Sequence, residues 1–246
     1  MVNLFIIIQA RMTSTRLPGK VLLPLRGTTV LGTMIERLSA YKESIVIATT
    51  NDGSEAPIVE FCQTNDIKVF RGDTDNVLSR YYLAAKEFGA KAGDIIVRLT
   101  SDCPLIDPNI TSQVIELYKQ GQCDIAAASS NSGFPRGLDT EVFGFDLLET
   151  AYLNATLDYE KEHVTPYIYL THKDKYRVAE VKAPIDASQY RITLDEQADY
   201  EVITKLYKLL NDDVSFNYDT LLEVLESNPE VSGLNRHIEQ KKVNNE

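Results

Sequence analysis

The stretch QARMTSTRLPGK, from Gln9 to Lys20, gathers Arg11, Arg16 and Lys20 with Thr13, Ser14 and Thr15. Backbone N–H groups, hydroxyls, guanidinium forks and an ammonium point charge are the groups that bind a polyphosphate. The common phosphate fingerprints are absent. No GxGxxG occurs, and Ser14 stands where a P-loop needs its first glycine. A solvated surface loop is the plain alternative. Three cations directly after an apolar run weigh against it.

Two carboxylates recur in a comparable setting. Asp102, in RLTSDCPLIDP, and Asp195, in RITLDE, each follow a β-rich run. A carboxylate facing a polyphosphate loop is explained by Mg²⁺, which takes one or two carboxylates plus phosphate oxygens. Taken singly, Asp102 reads as a turn residue and Asp195 as a helix cap. Together with the loop they read as a metal pair. Other chemistries fit poorly. His163, His172 and His237 have no HExxH spacing, and no GxSxG elbow occurs. Cys103 beside Asp102 reads as a small buried thiol rather than a nucleophile. The segments GFPRGLDTE and EKEHVTP, with Arg136, Asp139, Glu141 and His163, read equally as sugar-pocket lining or as solvated loops. Thr49, Arg71, Ser79 and Arg80 are base-pocket candidates by position. For Arg80 the helix surface is the plainer placement.

These residues need a frame. Apolar β-rich runs at 4–8, 44–50, 68–70, 94–100 and 124–129 alternate with amphipathic segments at 30–41, 54–65, 76–88 and 109–119. Near-continuous apolar strands imply cover on both faces, and the alternation implies a mostly parallel α/β sheet between helices. Asp107-Pro108 marks a helix start. Ligands of such sheets bind beyond the strands' carboxyl ends, where Gln9 and Asp102 fall. The second half is less regular. It predicts a loop running into a strand over 134–145, helices over 146–154, 160–171 and 196–210, and strands over 176–182 and 191–194. A short helix over 220–227 precedes a frayed end at 241–246.

Composition bounds the answer. The 246 residues carry 25 Lys+Arg against 36 Asp+Glu, a net charge of -11. An acidic surface argues against a nucleic-acid or anionic-membrane partner, while a small anion needs only a local cation cluster. Cys62, Cys103 and Cys123 form no CxxC pair, which points to a reducing, cytoplasmic setting. The N-terminus lacks a basic leader, and no run reaches the ~20 apolar residues of a membrane span.

The runs IIIQARMTSTRLPGKVL, RLTSDCPLIDP, GLDTEVF, EHVTPYIY and RITLDE resemble the cytidylyltransferase family, in its spore-coat polysaccharide branch. The resemblance implies a single three-layer α/β/α domain over 1–246, of nucleotide-diphospho-sugar transferase type. A sugar-binding and dimerisation insertion would lie around 131–172. It also implies CMP transfer from CTP to a sugar acid, with Mg²⁺ and a homodimer. Arg11, Arg16 and Lys20 would hold the triphosphate, Asp102 and Asp195 the metal, and Asp102 would serve as base. Gln9, Ala10, Ser14 and Arg80 complete the nucleotide contacts, and Arg136, Asp139, Glu141, His163 and Arg191 the sugar contacts. The alternatives are another nucleoside triphosphate with a sugar phosphate, or a non-catalytic sugar-nucleotide-binding module.

Overall fold

The computed structural model describes residues 2–240. The strands are β1 (Leu4–Gln9), β2 (Pro24–Leu25), β3 (Thr28–Thr29), β4 (Ile45–Thr50), β5 (Lys68–Gly72), β6 (Ile95–Thr100), β7 (Ile125–Ala128), β8 (Thr140–Gly144) and β9 (Val178–Glu180). The helices are α1 (Val30–Arg37), α2 (Ala56–Thr64), α3 (Val77–Glu87), α4 (Pro108–Lys119), α5 (Phe145–Asn154), α6 (Asp158–His163), α7 (Gln197–Leu209), α8 (Tyr218–Ser227) and α9 (Pro229–Ser232). Seven strands form one sheet in the order β5-β4-β1-β6-β8-β7-β9. Strands β5, β4, β1 and β6 run parallel, and β8 is antiparallel to both its neighbours. The reversal follows from the connection. A loop rather than a crossover helix joins β7 to β8, and a parallel pair needs the longer crossover.

The alternation of side chains along β1 explains the two layers. Ile6 and Ile8 join one core with α1, α4, α7 and α8, whereas Phe5 and Ile7 join a second with α3 and α5. Each isoleucine is fully buried, worth about 1.5–3 kcal/mol apiece. Caps fix where the helices start. Asp107 Oδ1 accepts from Asn109 and Ile110 N–H at 2.6 and 3.2 Å ahead of Pro108, and the Asn76 side chain accepts from Ser79 N–H. These caps place the N-termini of α3 and α4 on the edge where β1 and β6 end.

The second half departs from expectation at two points. The helix expected over 160–171 is broken: α6 stops at His163, Val164 takes φ 72°, and a π-helical turn runs over Tyr167–Thr171. Pro166 precedes that turn, where its missing N–H costs nothing. The strand expected over 191–194 is not one. Only Arg191 bridges, to Arg136, and the segment crosses between two neighbours instead. The expected fraying at 241–246 lies outside the described residues. Among those described, no helix is long and apolar enough to cross a membrane.

Candidate active site

Beyond β1 the chain closes on itself before it reaches Lys20. Ser14 and Gly19 N–H both donate to Met12 O, at 3.1 and 2.9 Å, and Leu17 N–H donates to Ser14 Oγ at 3.3 Å. Gly19 turns the corner at φ 68°, a conformation that costs side-chain-bearing residues energy. A 3-10 turn over Lys20–Leu22 then carries the ammonium inward. Its Nζ lies 3.0 Å from Asp102 Oδ2, 2.9 Å from Asp195 Oδ1 and 2.6 Å from Leu194 O. The extended 191–194 segment makes this possible. Ile192 N–H donates to Arg136 O, and Leu194 N–H to Asp102 O, both at 2.8 Å. That brace joins two carboxylates far apart in sequence. Gly137 permits the approach, since a Cβ there would lie 2.8 Å from Ile192 C and Thr193 N.

Asp195 gathers more charge than Lys20 alone. Arg16 Nη2 sits 3.0 Å and Arg191 Nη2 2.8 Å from its Oδ2. Burial works to raise its pKa, but Lys20, Arg191 and Arg16 overcome that and hold it at about 2. Asp102 is also held below the usual carboxylate range: burial and Asp195 oppose ionisation, and Lys20 outweighs them. Burial acts to lower Lys20, yet its two carboxylates raise it. Asp199, fully buried, supports the group from behind. It accepts from Arg191 Nε at 2.9 Å, from Asp195 and Glu196 N–H at 2.9 and 3.0 Å, and from Asn235 Nδ2 at 2.8 Å. Gln240 Oε1 receives Arg191 Nη1 at 2.8 Å, so the C-terminal segment also grips this network.

Across the sheet a second group forms. Arg98 Nη1 pairs with Glu141 Oε2 at 2.7 Å, in direct β6–β8 register, and Thr165 Oγ1 donates to the same carboxylate at 3.0 Å. Asp139 Oδ2 accepts from Gly137 N–H at 2.9 Å. Burial raises its pKa, and Glu141 and Asp102 add to that. Among the described residues no three His, Cys, Asp or Glu side chains cluster as a metal cage. Asp102 and Asp195 nevertheless converge on a single cation, the Lys20 ammonium. Two carboxylates so placed suit a divalent ion that completes its shell with phosphate oxygens.

The cytidylyltransferase family profile matches residues 5–241. The chain belongs to that family. It is 34% identical over 239 residues to the spore coat polysaccharide biosynthesis protein SpsF of Bacillus subtilis, covering 94% of this chain and 97% of that protein. A cytidylyltransferase structure from Leptospira borgpetersenii superposes with a TM-score of 0.88 at 36% identity, covering 98% of this chain and 100% of that one. The CMP:2-keto-3-deoxy-manno-octonic acid synthetase, solved with CTP, shares the fold: TM-score 0.60, 18% identity, 85% of this chain and 99% of that one.

In this cytidylyltransferase the expected residues fall into three groups. Arg16, Lys20, Asp102 and Asp195 meet, as described. Arg191, expected at the sugar, is turned instead to Asp195 and Asp199 behind them. Ser14 has its hydroxyl engaged in the loop's own turn. Gln9, Arg11, Arg80 and His163 line one cavity on the α3 side of β1, beside the buried Ala10. Arg80, expected on a helix surface, is only 1% exposed. Glu141 pairs with Arg98, Asp139 lies within electrostatic reach of Arg136, Glu141 and Asp102, and Arg136 braces Arg191 through its backbone and reaches Ser130 Oγ at 3.4 Å. Arg98, Thr165, Asp199 and Asn235 escaped the sequence reading. For Arg98 a signal existed: a lone cation interrupts the apolar run IIVRLT.

Proposed function

We propose that the chain transfers CMP from CTP to a keto sugar acid, nonulosonic or related, with release of pyrophosphate. The observation that carries the reading is the convergence of Asp102 and Asp195 on one point beside Arg16 and the loop after β1. In this reading the anomeric hydroxyl oxygen of the sugar bonds to the α-phosphorus. The bond from that phosphorus to the bridging oxygen breaks, and the electron pair leaves with pyrophosphate. Arg11, Arg16 and Lys20 hold the triphosphate and stabilise the departing charge, positioning and electrostatics being most of what such transfer needs. Asp102 and Asp195 would hold Mg²⁺, which when bound neutralises phosphate charge. Lys20 bridges the same two carboxylates at 3.0 and 2.9 Å and would offer its ammonium to the phosphates beside them.

Asp102 would serve both as a ligand and as the base that takes the hydroxyl proton. Asp139 lies within electrostatic reach of it. Arg98, Glu141, Thr165 and Arg136 shape the sugar side, and Arg191 positions Asp195. The insertion around 131–172 would supply that side and a homodimer contact within one nucleotidyltransferase domain. The proposed setting is a cytoplasmic enzyme of surface or spore-coat polysaccharide synthesis, the spore-coat part drawn from the name of the Bacillus subtilis relative.

A pyrophosphate-release assay over the four nucleoside triphosphates, each with keto sugar acids and with sugar phosphates, tests the reading. Release is expected with CTP and a sugar acid. Release only with another triphosphate and a sugar phosphate would replace the substrate assignment, and no release with any pair would leave a binding module.

A further inference from the structure

The run EHVTPYIY holds a conformation that its residue types do not favour. Val164 takes φ 72° and ψ -60°, and Thr165 N–H donates to His163 O at 2.9 Å. That is a γ-turn of the rare, strained kind. Glycine tolerates such a φ, whereas a β-branched residue there is an outlier. Packing holds the valine in place, since it is only 1% exposed and belongs to the core on the α3 side. Strain that the surrounding structure maintains gathers where a fold must aim a side chain.

The turn aims Thr165. Ile168 and Tyr169 N–H donate to Thr165 O at 2.8 and 3.2 Å, so its backbone is fixed on both sides. Its hydroxyl lies 3.1 and 3.0 Å from the two oxygens of Glu141, and Glu141 Oε2 lies 2.7 Å from Arg98 Nη1. Arg98 Nε is buried without a partner among the described residues. His163, on the other arm of the turn, feels the same cation. Burial chiefly, and Arg98 with it, lower the imidazole's pKa against the pull of Glu162.

Chemistry narrows what the Arg98–Glu141 pair takes. The two charges cancel, so the pair offers little net attraction to a carboxylate or a phosphate. A guanidinium with donors to spare beside a carboxylate with open lone pairs suits a hydroxyl, which accepts from one and donates to the other. The side chains are 17% and 18% exposed, so a group from outside can reach them.

We propose that the Val164 turn, through Thr165, presents Arg98 and Glu141 as a pair that reads one hydroxyl of the acceptor. Arg98 donates to that hydroxyl oxygen and Glu141 accepts its proton in a hydrogen bond. Thr165 touches no substrate and is a positioning residue. A site built to bond a hydroxyl rejects the analogue that lacks it.

The inference rests on the CMP-transfer reading above, and its test separates the two. Pyrophosphate release with CTP is followed for N-acetylneuraminic acid, for the 2-keto-3-deoxy-manno-octonic acid of the solved relative, and for their monodeoxy analogues. Thr165→Val is expected to raise the acceptor KM about tenfold, the low end for a lost hydrogen bond to a charged group. The kcat and the KM for CTP should be nearly kept. Thr165→Ser, which retains the hydroxyl, should restore the acceptor KM. With the unaltered chain one deoxy position should cost about tenfold or more in kcat/KM, and with Thr165→Val the same position should cost much less. An acceptor KM unmoved by Thr165→Val, an equal rise for CTP, or a deoxy penalty that the variant leaves whole would overturn the proposal. Melting temperature reads the strain. Val164→Gly should melt above Val164→Ala, the reverse of an ordinary buried site, and the ordinary order would overturn the part given to the turn. No release by the unaltered chain with either acid would overturn the functional reading, and this inference with it. Should Thr165→Val fail to fold, Glu141→Gln carries the same deoxy comparison.

Discussion

On the loop side of β1, Arg16, Lys20 and Arg191 each have a carboxylate within 3.0 Å. On the α3 side, Arg80 and Arg11 have no such partner among the described residues, and two Arg80 nitrogens are buried unpaired. The loop side is complete without ligand, because Lys20 supplies the positive charge on which Asp102 and Asp195 converge. Under the proposed function its cations and carboxylates would exchange one another for metal and phosphate. The α3 side has no internal substitute, so whatever completes it also stabilises it. Under the proposed function the first flank exchanges partners and the second selects the ligand that completes it.

The largest expected effect strikes the exchanging flank. Asp195→Asn removes the one carboxylate that Arg16, Lys20 and Arg191 share, and turnover should fall about 1,000-fold, roughly 4 kcal/mol of barrier. Pyrophosphate release measures it, and a loss below tenfold would mean that the carboxylates are no more than loop braces. Next comes Arg98→Met. It breaks a pair whose side chains are 17% and 18% exposed and should cost about 3 kcal/mol in chemical denaturation. Adding Glu141→Gln should recover part of that. Recovery of none would place the cost in packing.

The selecting flank yields a ligand effect. CTP with Mg²⁺ at about 100 times its Kd should stabilise the fold by about 2.7 kcal/mol, read as a rise in melting temperature. UTP at equal concentration should raise it less if base and cavity are matched.

Acid sharpens the contrast. Asp195 is held at about 2, below its unfolded value of 3.8. Its contribution, about 2 kcal/mol, is fully present above pH ~4 and is lost as pH falls through about 2. In Asp195→Asn the acid limb of the stability curve should flatten across that window, and an unaltered limb would show that the cations do not grip this carboxylate. The smallest effect belongs to Asn235→Ala, which loosens Asp199 behind Asp195. The Mg²⁺ concentration for half-maximal activity should rise about tenfold with kcat nearly kept. A fall in kcat alone would point to a different role for the C-terminal segment.

The half of the site that was legible from sequence is the half whose chemistry is contiguous. An apolar strand, a loop rich in cations and hydroxyls, and two aspartates after β-rich runs are each local patterns. Strands β1, β4, β5 and β6, with the helices between them, followed from the same periodicity. What escaped was set by pairing at a distance. Arg98 acquires Glu141 only through the register of β8 on β6, which brings together residues 43 apart in sequence. At Val164 the chain turns through φ 72°, and the signal in EKEHVTPYIYL is Pro166, which a helix over 160–171 tolerates only in an early turn or at a kink. The 191–194 run has strand composition but no neighbour to pair with along its length.

Residue order along the chain determined the layered α/β frame, the cationic loop and the identity of the paired carboxylates, because those depend on side-chain type and short-range period. Tertiary structure alone decided that Lys20 stands between Asp102 and Asp195. It also paired Arg191 with Asp195 and Asp199, and buried Arg80 unpaired at a cavity. Those outcomes depend on which of several carboxylates the folded backbone brings within 3 Å of a given cation, and charge alone cannot choose among 36 acidic residues.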